Sequence, residues 1–185
     1  MSGPKREPDA GAPERPGASA SDVPTRLELR SAARVDLPVL WEMVRGLAEY
    51  ERMTDVVTGT PDDLARLMFD EPGGLHGIIA WEGSRAVGYA LFFDAFSSFR
   101  AWRTTWLEDL YVTREARGSG AGRVLLAEVA RRALARGSRR LAWVVLDWNE
   151  PAIQFYERQG ASRTITDWLQ YRLDEGEMRS LAAET

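Results

Sequence analysis

A chain of 185 residues with 44% apolar residues and seven tryptophans can bury one sizeable core with some chain to spare. It has no cysteine, which excludes disulfides, thiolate metal sites and a thiol nucleophile, and its one histidine, His76, cannot build a histidine cluster, so no metal is expected. A formal charge of −4 argues against nucleic-acid binding and favours a cationic partner; without a membrane-length apolar run or a secretory h-region, a soluble cytoplasmic protein with no membrane role is the expectation.

Residues 1–24 carry Pro4, Pro8, Pro13, Pro16 and Pro24 among Gly, Ala, Ser and charged residues, with no aromatic. Such a segment buries too little to offset the entropy of ordering it, so a disordered tail is expected ahead of a domain at 25–185. At 26–31 the pattern RLELRS alternates, with Leu27 and Leu29 on one face, as a half-buried strand does. Asp36 is placed to cap the next helix, whose stripe of Leu37, Leu40, Trp41, Val44, Leu47 and Ala48 ends near Tyr50. Thr60-Pro61-Asp62-Asp63 opens a second helix that runs to Phe69, with Thr60 as cap and proline in the first turn. Strands at 75–81 and 85–93 follow, joined by Glu82-Gly83-Ser84 as a hairpin turn, and 94–103 reads as a loop carrying Phe96, Phe99 and Trp102.

The stretch 106–136 organises the rest. Residues 106–112 form a short apolar, β-prone run interrupted by the adjacent acids Glu108 and Asp109. Arg117-Gly118-Ser119-Gly120-Ala121-Gly122-Arg123 then places glycines and guanidinium groups where Val124, Leu125, Leu126, Val129, Ala133 and Leu134 begin a helical repeat. A helix N-terminus has unpaired N–H groups and the positive end of the dipole, and glycines let a bulky anion approach, so the turn can cradle a pyrophosphate. It is neither the dinucleotide fingerprint, which needs a glycine where Arg123 stands, nor a Walker loop; a flexible turn before a helix remains the plain alternative. A strand at 140–146 leads into Asp147-Trp148-Asn149-Glu150-Pro151, again a helix start, and the short helix 152–159 stops at Gly160. A last strand at 168–173 and a small terminal helix at 175–182 complete an α/β order, which predicts a mixed central sheet of about six to seven strands flanked by helices.

Glu108 and Asp109 are the odd residues of the core pattern. Side chains alternate along a strand, so the two are expected on opposite faces, and each needs a cation, a donor or water, because an unpaired buried carboxylate costs several kcal/mol. Pairing with an arginine is the ordinary solution and is expected for Asp109. A desolvated carboxylate has a raised pKa, which suits a general base near neutral pH. Asn149 ends the strand after the organising helix, and Tyr156 lies seven residues on, two helical turns away, beside Phe155.

Together these pieces resemble the GNAT superfamily of N-acetyltransferases. Arg117-x-x-Gly120-x-Gly122 fits its Arg/Gln-x-x-Gly-x-Gly/Ala acetyl-CoA signature between a strand and a helix, and the segment from Asn149 through Phe155-Tyr156 to Gly160-Ala161 is similar to its Asn…Phe-Tyr…Gly segment. The resemblance is closest to the spermidine/spermine (diamine) acetyltransferase branch, which includes enzymes acting on thialysine. Leu107-Glu108-Asp109-Leu110-Tyr111-Val112, Leu146-Asp147-Trp148-Asn149-Glu150 and Ala48-Glu49-Tyr50-Glu51 carry it.

The resemblance implies a GNAT fold with a splayed strand pair beside a bulge and acetyl-CoA as co-substrate. Backbone hydrogen bonds to the pantetheine arm would come from Leu110, Tyr111 and Val112. Arg117, Gly118, Ser119, Gly120, Ala121, Gly122 and Arg123 would cradle the pyrophosphate, and Asn149 would help hold the cofactor. It further implies Tyr156 as the acid that protonates the departing thiolate, Glu108 as the base acting through water, and Tyr50, Glu51 and Glu108 as contacts of the amine. A homodimer formed through the C-terminal strands is implied as well, and Trp168 and Tyr171 could serve it. The segment 161–167, ASRTITD, is shorter than its counterpart in the polyamine enzymes and carries one acid, Asp167, so a short diamine or a thialysine-like amino acid fits as well as a polyamine. The expected function is acetyl transfer to a primary amine of a small cationic substrate. Acetylation of protein or peptide amino groups seated on the aromatic loop, and a non-catalytic acyl-CoA-binding domain, are the alternatives.

Overall fold

A computed structural model of the protein describes residues 27–72, 74–163 and 171–183. The expected tail at 1–24 lies outside them. In chain order the elements are β1 (Leu27–Ser31), α1 (Leu37–Glu51), α2 (Pro61–Phe69), β2 (His76–Glu82), β3 (Arg85–Ser97), β4 (Trp102–Val112), α3 (Ala121–Ala135), β5 (Leu141–Ala142), α4 (Glu150–Arg158) and α5 (Glu175–Ala183). The chain divides after Trp143 into two compact units, the first with the sheet and α1 to α3, the second with α4 and α5.

The sheet has the order β1-β2-β3-β4-β5, antiparallel throughout except for the parallel pair β4 and β5. Five strands among the described residues replace the six to seven expected. One expected strand is shortened but still counts among the five, and the last does not form at its described residues. The strand expected at 140–146 shrinks to Leu141–Ala142, because its pairing with β4 ends at Trp106↔Ala142, and Val144 beyond it is 71% exposed. Of the strand expected at 168–173, residues 168–170 lie outside the described residues, and Tyr171, Arg172 and Leu173 form no strand. Conversely, the loop expected at 94–103 is mostly strand: β3 runs on to Ser97, which pairs with Trp102, and only 98–101 turn. Phe96 and Phe99 project from this hairpin end, 75% and 93% exposed.

The two faces of the sheet bury different helices. On one, Leu40, Met43 and Leu64 from α1 and α2 meet Ile79, Trp81, Tyr89 and Leu91, which alternate along β2 and β3. The opposite face takes α3, whose Leu125 and Val129 have no exposed surface. Under the end of α3, the hydroxyls of Thr105 and Ser138 meet at 2.8 Å, both buried. Thr105→Val keeps the shape but orphans the Ser138 hydroxyl, so it is expected to cost about 1–2 kcal/mol in urea unfolding; an unchanged midpoint would show that the pair contributes nothing.

The helix starts follow local chemistry. At α2, Thr60 Oγ1 accepts from Asp63 N at 3.2 Å and the Asp63 carboxylate accepts from Thr60 N at 3.0 Å, a reciprocal cap with Pro61 in the first turn. Asp36, expected to cap α1, makes no side-chain bond to it; its carboxylate turns back to accept from Ala33 N at 2.9 Å, closing the short turn before the helix.

Candidate active site

The register of β4 decides where its two acids point. Leu107 lies opposite Phe92 and Asp109 opposite Leu91, so Glu108 is an additional residue, and the strand bulges there. Trp106 lies opposite Phe93 and therefore shares the face that Phe93 has in common with Leu91 and Tyr89. From that face the Trp106 indole donates to the Glu108 carboxylate at 2.9 Å, and the Tyr89 hydroxyl donates to the Asp109 carboxylate at 3.1 Å. Strict alternation would have separated the two acids. The bulge corrects this expectation by turning both toward the side that α1 covers.

Their surroundings differ. Glu108 is exposed, whereas Asp109 is half-buried, and its hydrogen-bond partner is a phenol rather than the expected arginine. Burial pushes the Asp109 carboxyl up to about 6, against the lowering effect of the Tyr89 hydrogen bond, and the charges of Glu108 and Glu51 push it the same way. Tyr89 has no exposed surface; burial, then the charge of Asp109, holds its phenol well above the ordinary range. Neither Asp109 nor Tyr89 was expected in the site. The adjacent acids in an apolar strand were the signal for Asp109, and nothing in the local sequence marks Tyr89.

The last turns of α1 close over this face. Gly46 lies so near β4 that a Cβ there would stand 2.8 Å from the Tyr111 hydroxyl oxygen, and this lets α1 approach. One turn on, the Arg117 guanidinium lies 4.4 Å from the Tyr50 ring centroid, and its Nε donates to the Val112 carbonyl at 3.4 Å. Next to Tyr50, burial raises the Glu51 carboxyl. Burial likewise raises the Tyr111 phenol, with Arg117 opposing it. Tyr50, Glu51, Glu108, Tyr111 and Arg117, all named from sequence, thus gather with Asp109 around the end of β4.

Leu110, Tyr111 and Val112 pair with Ala90, Tyr89 and Gly88 on one edge of β4, whereas β5 reaches only Thr105 and Trp106 on the other. Beyond β4, Gly118 and Gly120 take φ of 83° and 91°, left-handed values that favour glycine, and the space a Cβ would occupy at either holds no atom within 4 Å. Helix α3 then starts at Ala121 without a side-chain cap, although Ser119 Oγ takes the Ala121 N–H at 3.3 Å. Ala121 is buried and Arg123 exposed. An open glycine turn, helix N–H groups and exposed guanidinium groups suit an extended diphosphate.

In the second unit, buried Asn149 caps α4 by accepting from Ala152 N at 3.3 Å, with Pro151 in the first turn. On α4, Tyr156 meets Phe155 edge to face at 5.1 Å. The helix ends at Gly160, whose φ of 86° is the expected left-handed stop. Among the described residues no group of three side chains could hold a metal ion, and no helix is long and apolar enough to cross a membrane.

Comparison with known proteins bears on this arrangement. Residues 41–161 match the acetyltransferase (GNAT) family. The chain is 34% identical over 167 residues to a thialysine N-epsilon-acetyltransferase of Sus scrofa, covering 84% of this chain and 97% of that one. It is 26% identical to the human spermidine/spermine N(1)-acetyltransferase-like protein 1, over 85% of this chain and 24% of that one. Among solved structures, an integron cassette protein from the mobile metagenome of V. cholerae superposes with a TM-score of 0.68 at 26% identity, covering 84% of this chain and 97% of that one. The family match spans more than half of the chain, so the protein belongs to the GNAT acetyltransferase family and is an acyltransferase of the N-acetyltransferase kind, consistent with its diamine branch.

Proposed function

We propose that this enzyme transfers the acetyl group of acetyl-CoA directly to a primary amine of a small cationic substrate, a diamine, a polyamine or a thialysine-like amino acid. The carrying observation is the convergence of Glu51, Glu108 and Asp109 on one side of the bulged strand. An alkylammonium ion, with a pKa of about 10.4, arrives protonated at neutral pH, so acids must first bind the cation and one must then take its proton. Names borne by the relatives, thialysine and spermidine/spermine acetyltransferases, support a substrate of this class.

In this reading Tyr50, Glu51 and Glu108 hold the ammonium group, and Glu108 receives its proton through water. The backbone of Leu110, Tyr111 and Val112 aligns the pantetheine arm. Arg117, Gly118, Ser119, Gly120, Ala121, Gly122 and Arg123 hold the diphosphate, and Asn149 steadies the cofactor. The amine attacks the thioester, and Tyr156 gives a proton to the leaving sulfur. Residues 25–185 form the catalytic domain, which works in the cytoplasm as a homodimer.

The test is thiol release from acetyl-CoA with a panel of diamines, polyamines, thialysine and aminoglycosides; no turnover on any of them overturns the proposal. Activity on peptides but not on free amines would favour protein amino groups instead. Tyr156→Phe is expected to lower kcat by roughly 100-fold with coenzyme A affinity nearly unchanged, and unchanged turnover would remove Tyr156 from its role.

A further inference from the structure

We propose that Asp109, held by the buried hydroxyl of Tyr89, is the final acceptor of the proton that the substrate ammonium gives up, with Glu108 as the outer station that passes it inward. The inference rests on the function proposed above and names a second carboxylate for it.

Three observations carry it. The bulge sets Glu108 and Asp109 side by side on one face, one exposed and one half-buried, so a proton taken at the surface has a neighbouring acceptor further in. Tyr89 donates to Asp109 from a fully buried position, which fixes the carboxylate and supports its charged form. Finally, the groups that act on Asp109 are acidic or phenolic: Tyr89 from β3, Glu108 from β4 and Glu51 from α1, with Tyr111 beside Tyr89 and Arg117 beside Tyr111. Burial first, then the charges of Glu108 and Glu51, make Asp109 a stronger base than a carboxyl in the usual range, with the Tyr89 hydrogen bond opposing them in part, and one that titrates at about 6 is still ionised at neutral pH.

The step balances simply. The ammonium N–H bond breaks, its electron pair stays on nitrogen, and the proton moves by way of Glu108 to an Asp109 oxygen. The freed amine forms the bond to the thioester carbonyl carbon, the carbon–sulfur bond breaks and the sulfur takes the Tyr156 proton, while the second proton shed by the acylated nitrogen leaves to solvent, which reprotonates Tyr156. Asp109 returns its proton to solvent by the same route between turnovers.

The fold bears a cost for this base. A carboxyl whose pKa is raised on folding binds more protons folded than unfolded between about 3.9 and 6, so stability falls as pH rises through that window and stays lower above it. Removing the charge therefore relieves the fold at pH 8 while it damages the reaction. A merely structural residue would behave the other way.

The experiment measures kcat and KM across pH with the best amine of the panel, together with thermal melting. Asp109→Asn is expected to lower kcat by roughly 100-fold with KM changed little, to lose the acidic limb near 6, and to melt no lower than the parent at pH 8. Tyr89→Phe, which removes the donor to the charged form, is expected to move the acidic limb to higher pH. Asp109→Asn with the parent's kcat and limb, or Tyr89→Phe with the limb in place, overturns the inference while the proposed function stands. A parent that acetylates no amine overturns both.

Discussion

Gly88→Val is expected to lower the melting midpoint of the protein by about 10 °C. A Cβ at Gly88 would stand 2.6 Å from the Tyr111 carbonyl oxygen, 3.3 Å from the Val112 Cα and 3.2 Å from the Leu125 Cδ1. Two of these three neighbours are backbone of β4, which no side-chain rotation can move. Relief requires β3 and β4 to part where Gly88 pairs with Val112, with α3 pressing from the other side. Overpacking of this kind costs about 3 kcal/mol at the upper end, and each kcal/mol shifts a protein of this size by ~2–4 °C. Gly46→Ala is the informative contrast, because the atom its Cβ would meet is the far end of the Tyr111 side chain, which can swing aside. A melt by circular dichroism decides: a Gly88→Val midpoint within ~2 °C of the parent would mean that the two strands tolerate separation.

The same pair of strands shows what the sequence could and could not convey. Features set by neighbours a few residues apart were legible: the alternation of Leu27 and Leu29, the cap at Thr60, the stop at Gly160, and the spacing of Arg117, Gly120 and Gly122 about the start of α3. Asp36 shows the limit even of local reasoning, because a second donor, the Ala33 N–H, competes for its carboxylate and wins. The bulge at Glu108 is a property of two strands together. It exists only because β3 offers no residue opposite Glu108, so alternation applied to β4 alone puts the two acids on opposite faces. Tyr89 was invisible for the same reason: it lies twenty residues from Asp109 in the chain and meets it only through the register. The residues 94–103 read as a loop because their polar and aromatic mixture lacks a clear turn signal, yet cross-strand pairing carries both strands almost to the tip.

Gly120→Asp is expected to weaken coenzyme A binding at least 100-fold while leaving the fold nearly as stable as the parent. Gly120 has φ of 91° at the N-cap of α3, and nothing lies within 4 Å of the position a Cβ would take. Aspartate is among the residues that tolerate a left-handed backbone and is a favoured N-cap, so local strain and capping partly offset each other, and the melting midpoint should stay within about 4 °C. Its effect on binding comes from charge. A carboxylate at the mouth of the turn would occupy the helix N–H groups proposed to meet the diphosphate and would repel that anion directly. Gly120→Asn separates this effect from shape, since it has the same size and similar backbone tolerance without the charge. Calorimetry with coenzyme A should therefore rank the affinities glycine, asparagine, aspartate, with the larger step between the last two, and the gap between them should narrow as salt is added. Equal losses for asparagine and aspartate would mean that the turn excludes by volume alone, and an aspartate variant that binds like the parent would place the diphosphate somewhere other than the start of α3.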